Sequence, residues 1–127
     1  PDRDGALDAE IVIHELAHGL SNRLHFNAAG LTTSMSRGMG EGWSDFYALS
    51  LLSEPSDPIN GVYPLSGYSV FRPSFPLNYY FGIRRFPLAV MAFTGGTINR
   101  PHNPLTFADI DATQINLNDG AFSPAFL

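Results

Sequence analysis

The sequence predicts a mainly α-helical chain whose C-terminal half is loop-rich and partly extended. Apolar residues recur with a helical period up to about Leu24, and a second helical pattern covers about residues 39–52. After Ser53 come most of the ten prolines and many aromatic residues. The 127 residues fit a single domain. We therefore expect two helices within residues 1–54 and a region of loops and short strands over residues 55–127.

The first predicted helix carries an apolar stripe. Either Asp4 or Asp8 can cap its start. The stripe follows the 3.6-residue period of an α-helix, which predicts that this face lies in the core: Ile13, Leu16, Ala17, Leu20 and Leu24.

The remainder of the chain has weaker signals. Residues 28–38, rich in Gly, Ser and Thr, indicate a connector between the two helices. Residues 67–71 and 79–83 suggest short extended segments. The stretch "NPLTFADI", residues 103–110, suggests a turn that leads into a short helix.

Composition excludes several classes of function. There is no cysteine, hence no disulfide framework, thiolate zinc site or cysteine nucleophile. The net charge of -5 argues against nucleic acid as a partner, because binding phosphates requires clustered basic residues. No apolar run is long enough to span a bilayer. The start "PDRDGALDAE" has no initiator Met and no leader, so we expect a piece of a longer protein.

The stretch "IVIHELAHGL" contains the pattern H-E-x-x-H. On a helix His14 and His18 lie one turn apart, so their imidazoles can converge on one ion, and Glu15 lies close enough to reach a water on that ion. In this pattern two histidines bind zinc and the glutamate is the general base. Neutral nitrogen ligands leave zinc acidic enough to bring a bound water to a pKa of about 7. The alternative is a pair of helix histidines with ordinary polar neighbours.

A third ligand is expected on the second helix. Outside the motif the chain has three glutamates, and of these Glu41 is best placed, because Glu10 points away from the ion and Glu54 lies beyond the helix. Asp45, one turn after Glu41, can accept the free ring N–H of a ligand histidine. The alternative is that Glu41 and Asp45 begin a solvated helix and favour its N-terminus through the helix dipole.

These two helical segments resemble the fungalysin family of secreted zinc metallopeptidases. The resemblance rests on "DGALDAEIVIHELAHGLSNRL" and "GMGEGWSDFYALSL", against a family pattern of H-E-x-x-H-G-x-S-x-R-L followed by G-E-G-W-S-D. "GIRRFP" and "NPLTF" also look like family segments, so the similarity touches most of the chain. The matching motif residues are His14, Glu15, His18, Gly19, Ser21, Arg23, Leu24, Gly40, Glu41, Gly42, Trp43, Ser44 and Asp45.

The resemblance implies the helical core of a thermolysin-like zinc metallopeptidase, as part of a catalytic domain whose flanking portions lie outside this chain. It implies one Zn²⁺ held by His14, His18 and Glu41, with Glu15 as general base and acid and Asp45 behind the ligands. The implied activity is hydrolysis of peptide bonds in proteins or peptides, outside the cell. Three rivals remain open: a non-catalytic binding or structural module in which zinc only joins two helices, an inactive fragment of the enzyme, and an aminopeptidase.

Overall fold

The computed structural model describes residues 3–59, 61–89 and 103. In chain order its helices are α1 (Ala9–Leu24), α2 (Ser34–Leu52), α3 (Gly67–Val70) and α4 (Leu77–Phe81). Two short strands, β1 (Val62–Tyr63) and β2 (Leu88–Ala89), pair antiparallel, with Val62 opposite Ala89 and Tyr63 opposite Leu88. Single 3₁₀ turns, Gly5–Leu7 and Phe26–Ala28, flank α1. The predicted mainly helical fold is confirmed for the described residues.

Capping side chains set where both long helices begin. The Asp8 carboxylate accepts the Glu10 N–H at 3.1 Å and starts α1, while Asp4 caps the preceding 3₁₀ turn. Thr33 and Ser36 form a reciprocal capping box, in which each side chain accepts the other residue's backbone N–H. Because of this box α2 begins at Ser34, five residues before the predicted start, and it takes in part of the expected connector.

The two long helices pack against each other and position the rest. Ala48 of α2 lies in a small buried cluster with Leu65 and Leu88, and Ile13 of α1 packs against this cluster. The apolar stripe of α1 is only partly covered. Ala17 is buried, but Leu16, Leu20 and Leu24 are 70%, 52% and 72% exposed. The prediction of a wholly buried stripe is therefore wrong for these leucines, because α2 covers only the side of α1 that carries Ile13, His14 and Ala17.

The predicted extended segments are also wrong. Residues 67–71 largely form helix α3, and residues 79–83 overlap helix α4; the strands lie instead at Val62–Tyr63 and Leu88–Ala89. Elements this short have no usable periodicity, so tertiary contacts decide their conformation. The predicted turn and helix in "NPLTFADI" lie outside the described residues apart from Asn103.

None of the described helices combines enough residues with enough apolar character to cross a bilayer.

The capping box makes a testable contribution to α2. We expect Thr33→Ala to lower the free energy of unfolding by about 1 kcal/mol, because it leaves a first-turn N–H without its acceptor. The measurement is chemical denaturation followed by circular dichroism. The matched control is Thr32→Ala at the exposed neighbouring position, where we expect a change below about 0.5 kcal/mol. Equal losses in the two variants would contradict the capping role.

Candidate metal centre

Helices α1 and α2 bring three potential metal ligands together. His14 Nε2 lies 3.3 Å from Glu41 Oε2, and His18 Nε2 lies 3.3 Å from Glu41 Oε1. The two imidazole rings meet edge to face with their centroids 4.5 Å apart. One ligand atom from each of the three residues lies within 4.8 Å of the others. Each oxygen of one carboxylate thus faces an imidazole nitrogen of the opposite helix.

A glycine lies on α2 where it faces the ring of His18. Gly40 precedes Glu41 on α2 and is buried against α1. A Cβ atom at this position would come within 2.9 Å of Leu31 Cδ1 and 3.8 Å of His18 Nδ1. A side chain here would displace the Leu31 side chain and would lie in van der Waals contact with the His18 ring.

The donor set suits a zinc ion. Two imidazole nitrogens and one carboxylate oxygen are three of the ligand types that zinc prefers, and catalytic zinc sites typically have three protein ligands. His14 is 6% exposed, and the side chains of His18 and Glu41 are 24% and 34% exposed. The group is therefore buried at His14 and open to solvent at His18 and Glu41.

Asp45 supports His14 from behind. Its carboxylate is fully buried, and Oδ1 lies 2.7 Å from His14 Nδ1. A carboxylate at Nδ1 favours the tautomer with the proton on that nitrogen, which leaves the Nε2 lone pair directed toward Glu41. Asp45 therefore lies on the side of His14 away from the other two candidate ligands.

Arg84 completes the centre, and the sequence did not identify it. Its Nε and Nη2 donate to Asp45 Oδ2 and Oδ1 at 2.7 and 2.6 Å, and Nη2 also lies 3.0 Å from Glu41 Oε2. This two-pronged geometry is the strong form of an arginine–carboxylate pair. The sequence signal is weak, because a buried Asp45 calls for a cation but nothing local shows which of the seven arginines supplies it.

Glu15 lies beside the candidate metal ligands. It is exposed on α1, and it lines a cavity of about 380 Å³ together with the three candidate ligands. The cavity is also lined by Ile11 of α1 and by Ser66, Ile83 and Arg84 from the later part of the chain. The cavity thus places a free carboxylate next to the candidate metal ligands, with room for a water or a small part of a substrate.

The ionisable groups of the centre change one another's pKa values. Burial lowers the pKa of His14, but hydrogen bonds with Asp45 and Glu41 outweigh it and raise that pKa to about 9. Hydrogen bonds from His14 and His18 lower the pKa of Glu41 far below its ordinary value. Burial lowers the pKa of Arg84, but its bonds with Asp45 and Glu41 raise it on balance. Without a metal, a proton on His14 therefore balances the surrounding carboxylates.

The chain is similar to known metallopeptidases over most of its length. The sequence profile of the fungalysin metallopeptidases (M36) matches residues 1–121. An extracellular metalloproteinase 3 of Arthroderma gypseum is 50% identical over 76 residues, which cover 58% of this chain and 12% of that protein. Its counterpart in Trichophyton soudanense is 49% identical over 76 residues, covering 58% of this chain and 19% of that protein.

A longer match reaches further along the chain. An extracellular metalloproteinase 2 of Trichophyton tonsurans is 39% identical over 114 residues, which cover 87% of this chain and 16% of that protein. The chain therefore spans less than a fifth of the length of these three relatives. Because the profile matches almost the whole chain, including both helices of the centre, the chain belongs to the fungalysin metallopeptidase family (M36).

Proposed function

We propose that this chain carries the metal centre of a zinc metalloendopeptidase that hydrolyses peptide bonds in proteins. His14, His18 and Glu41 would hold one Zn²⁺. The observation that carries the proposal is the convergence of two imidazoles and a carboxylate within 4.8 Å, with Glu15 in the same cavity. The names of the relatives, which are extracellular metalloproteinases, support the same activity.

The residues divide the chemistry between them. A zinc ion, when bound, supplies Lewis acidity that polarises the scissile carbonyl and makes a water molecule more acidic. Glu15 accepts the proton of the attacking water and delivers it to the leaving amine. His14 and His18 remain neutral donors throughout, because a protonated imidazole has no lone pair to offer a metal.

Asp45 and Arg84 prepare the ligands. Asp45 Oδ1 lies 2.7 Å from His14 Nδ1, and a carboxylate there favours a proton on Nδ1 and so leaves the Nε2 lone pair available. Arg84 donates hydrogen bonds to both Asp45 and Glu41, and its positive charge offsets the charge of these two carboxylates in a partly dehydrated site. The ligand set is thus oriented before a metal or a substrate arrives.

The rival proposal is a zinc that only joins α1 and α2. A structural zinc site is usually closed by four protein ligands. Within the described part of the chain, the ligand group consists of three residues and opens onto a cavity that also contains Glu15. This arrangement favours catalysis. An aminopeptidase would need an acidic group for the substrate amine, and cleavage of N-terminally blocked peptides would argue against it.

We also infer secretion and a larger catalytic domain. The relatives are named extracellular, and they are more than five times longer than the matched segments. Leu20 and Leu24 of α1 and Phe46 of α2 are more than half exposed, and with Trp43 they line an apolar groove of about 370 Å³. Single exposed leucines are common on protein surfaces, whereas here several large apolar side chains lie side by side. We therefore infer that flanking parts of the protein cover this groove.

The first prediction separates metal binding from catalysis. We expect Glu15→Gln to bind Zn²⁺ as tightly as the wild type and to lose hydrolysis by at least about 10²-fold, because the amide cannot accept the proton. His18→Ala should lose both zinc and activity. The measurements are metal content after dialysis and cleavage of casein or a blocked peptide, with and without a chelator, in this chain and in the longer protein.

The control for these variants is Glu54→Gln, which changes an exposed carboxylate beyond the end of α2. It should retain both zinc and activity. Full hydrolysis by Glu15→Gln would rule out Glu15 as the base. Retention of zinc by His18→Ala would rule out the proposed ligand set.

The second prediction concerns pH. A proton on His14 competes with the metal, and the pKa of His14 in the metal-free protein is raised to about 9. The apparent zinc affinity should therefore rise with pH up to about 9, by up to about tenfold per unit, and level off above it. Competition titrations with a chromogenic chelator at several pH values measure this. An affinity that levels off near pH 6.5 would show that His14 keeps its ordinary pKa.

The third prediction tests the covered surface. Leu20→Ala should change the unfolding free energy of this chain by less than about 0.5 kcal/mol, because Leu20 is already exposed. In the longer protein the same change should cost about 2 kcal/mol or more. Leu65→Ala is the control, since Leu65 is buried here and should be costly in both. Equal, small effects of Leu20→Ala would argue that nothing covers α1.

A further inference from the structure

Two carboxylates at the start of α1 hold helix α3 and Ser66, the residue that precedes it. Asp8 Oδ2 accepts the Ser69 N–H at 3.1 Å, and the Glu10 carboxylate accepts the Ser66 N–H. We call these four residues the carboxylate clamp. Asp8 is 4% exposed and Glu10 is half-buried. Carboxylates removed from water need strong hydrogen bonds, and the clamp supplies them from backbone N–H groups more than fifty residues away.

Ser66, just before α3, has a backbone conformation that serine does not favour. Ser66 lies in the left-handed region, with φ 56° and ψ 36°, which costs a non-glycine residue about 1 kcal/mol. Leu65 and Ser66 are both fully buried, and Ser66 borders the metal-centre cavity. Strain of this kind persists only where surrounding contacts impose it, and the bond from Ser66 to Glu10 is such a contact.

Leu65, which precedes Ser66, contacts the backbone of the two residues just before Arg84. Leu65 and Gly82 form a parallel bridge, and the Ile83 N–H donates to Leu65 O at 2.9 Å. Gly82 has φ 63°, and a Cβ atom there would collide with Leu65 O, so the two backbones are in the closest contact that a glycine allows. Arg84 follows Ile83 directly, and its side chain donates to Asp45 and Glu41.

We propose that Glu10 is a positioning residue for the metal centre. The Glu10 carboxylate binds the Ser66 N–H and so fixes the position of the neighbouring Leu65. The Leu65 carbonyl accepts the Ile83 N–H, which fixes the backbone just before Arg84. The Arg84 side chain is thereby held in contact with Glu41 and Asp45. Glu10 acts through backbone, because its carboxylate bonds to Ser66 and not to a candidate ligand. This inference rests on the proposed metal site. It adds that the orientation of Glu41 depends on a carboxylate on the far side of the cavity wall.

A double-mutant cycle on zinc affinity tests the proposal. In the full chain, Glu10→Ala should weaken Zn²⁺ binding by about tenfold, the lower end of the range for groups that orient ligands. Arg84→Gln should weaken it at least as much. If Glu10 acts through Arg84, Glu10→Ala should cost less than about twofold in the Arg84→Gln background, because the two effects share one route. Glu54→Ala, at an exposed site, should leave affinity unchanged.

Two further measurements separate positioning from loss of stability. Glu10→Gln keeps an oxygen acceptor of the same shape for the Ser66 N–H and should retain most of the affinity. With Co²⁺ in place of zinc, Glu10→Ala should shift the visible absorption bands, which report ligand geometry, whereas Glu10→Gln should not. The Co²⁺ comparison decides the question even where Arg84→Gln does not fold.

Three outcomes would overturn the inference. These are wild-type affinity and an unchanged Co²⁺ spectrum in Glu10→Ala, an equal loss with and without Arg84, and no rescue by Glu10→Gln. Failure of the wild-type chain to bind Zn²⁺ is a separate result, because it would overturn the proposed metal site itself and the inference with it.

Discussion

The rest of the centre depends on the contacts that the buried Asp45 carboxylate makes with His14 and Arg84. It is fully excluded from solvent, and its two oxygens meet His14 from α1 and Arg84 from the segment before β2. An unpaired carboxylate in this position would be strongly destabilising, so these elements can pack only if both partners are in place. His14 takes part both in the packing of α1 on α2 and in the group of candidate ligands. A change in that packing would therefore also change the geometry of the ligands.

Charge explains why the centre suits a cation. Glu41 and Asp45 are acidic and Arg84 is basic, so with neutral imidazoles the cluster has one excess negative charge. In the absence of a metal, a proton on His14 offsets it, which is why the pKa of His14 is raised although burial alone would lower it. A metal ion bound between His14, His18 and Glu41 would take over the role of that proton. The arginine limits the excess charge while leaving the site attractive to a cation.

The sequence predicted the parts of the molecule that local rules determine. The positions of His14, His18 and Glu41 follow from helix geometry and short motifs, and the structure brings them together. The start of α2 was placed too late, because the weak apolar pattern near residue 39 masked the Thr33 capping box. Leu16 and Leu20 were predicted to be buried, because a helical pattern reports which face is apolar and not what covers it.

The cavity wall could not be predicted, for a different physical reason. A metal ligand must be a residue of a particular type, so ligand identity can be read from the chain. The wall depends instead on backbone N–H and C=O groups of Leu65, Ser66 and Ile83, which any non-proline residue would supply. Its contacts span 56 residues from Glu10 to Ser66 and 39 from Asp45 to Arg84. Side-chain chemistry thus specifies which atoms can bind a metal, whereas distant backbone contacts determine how firmly those atoms are held.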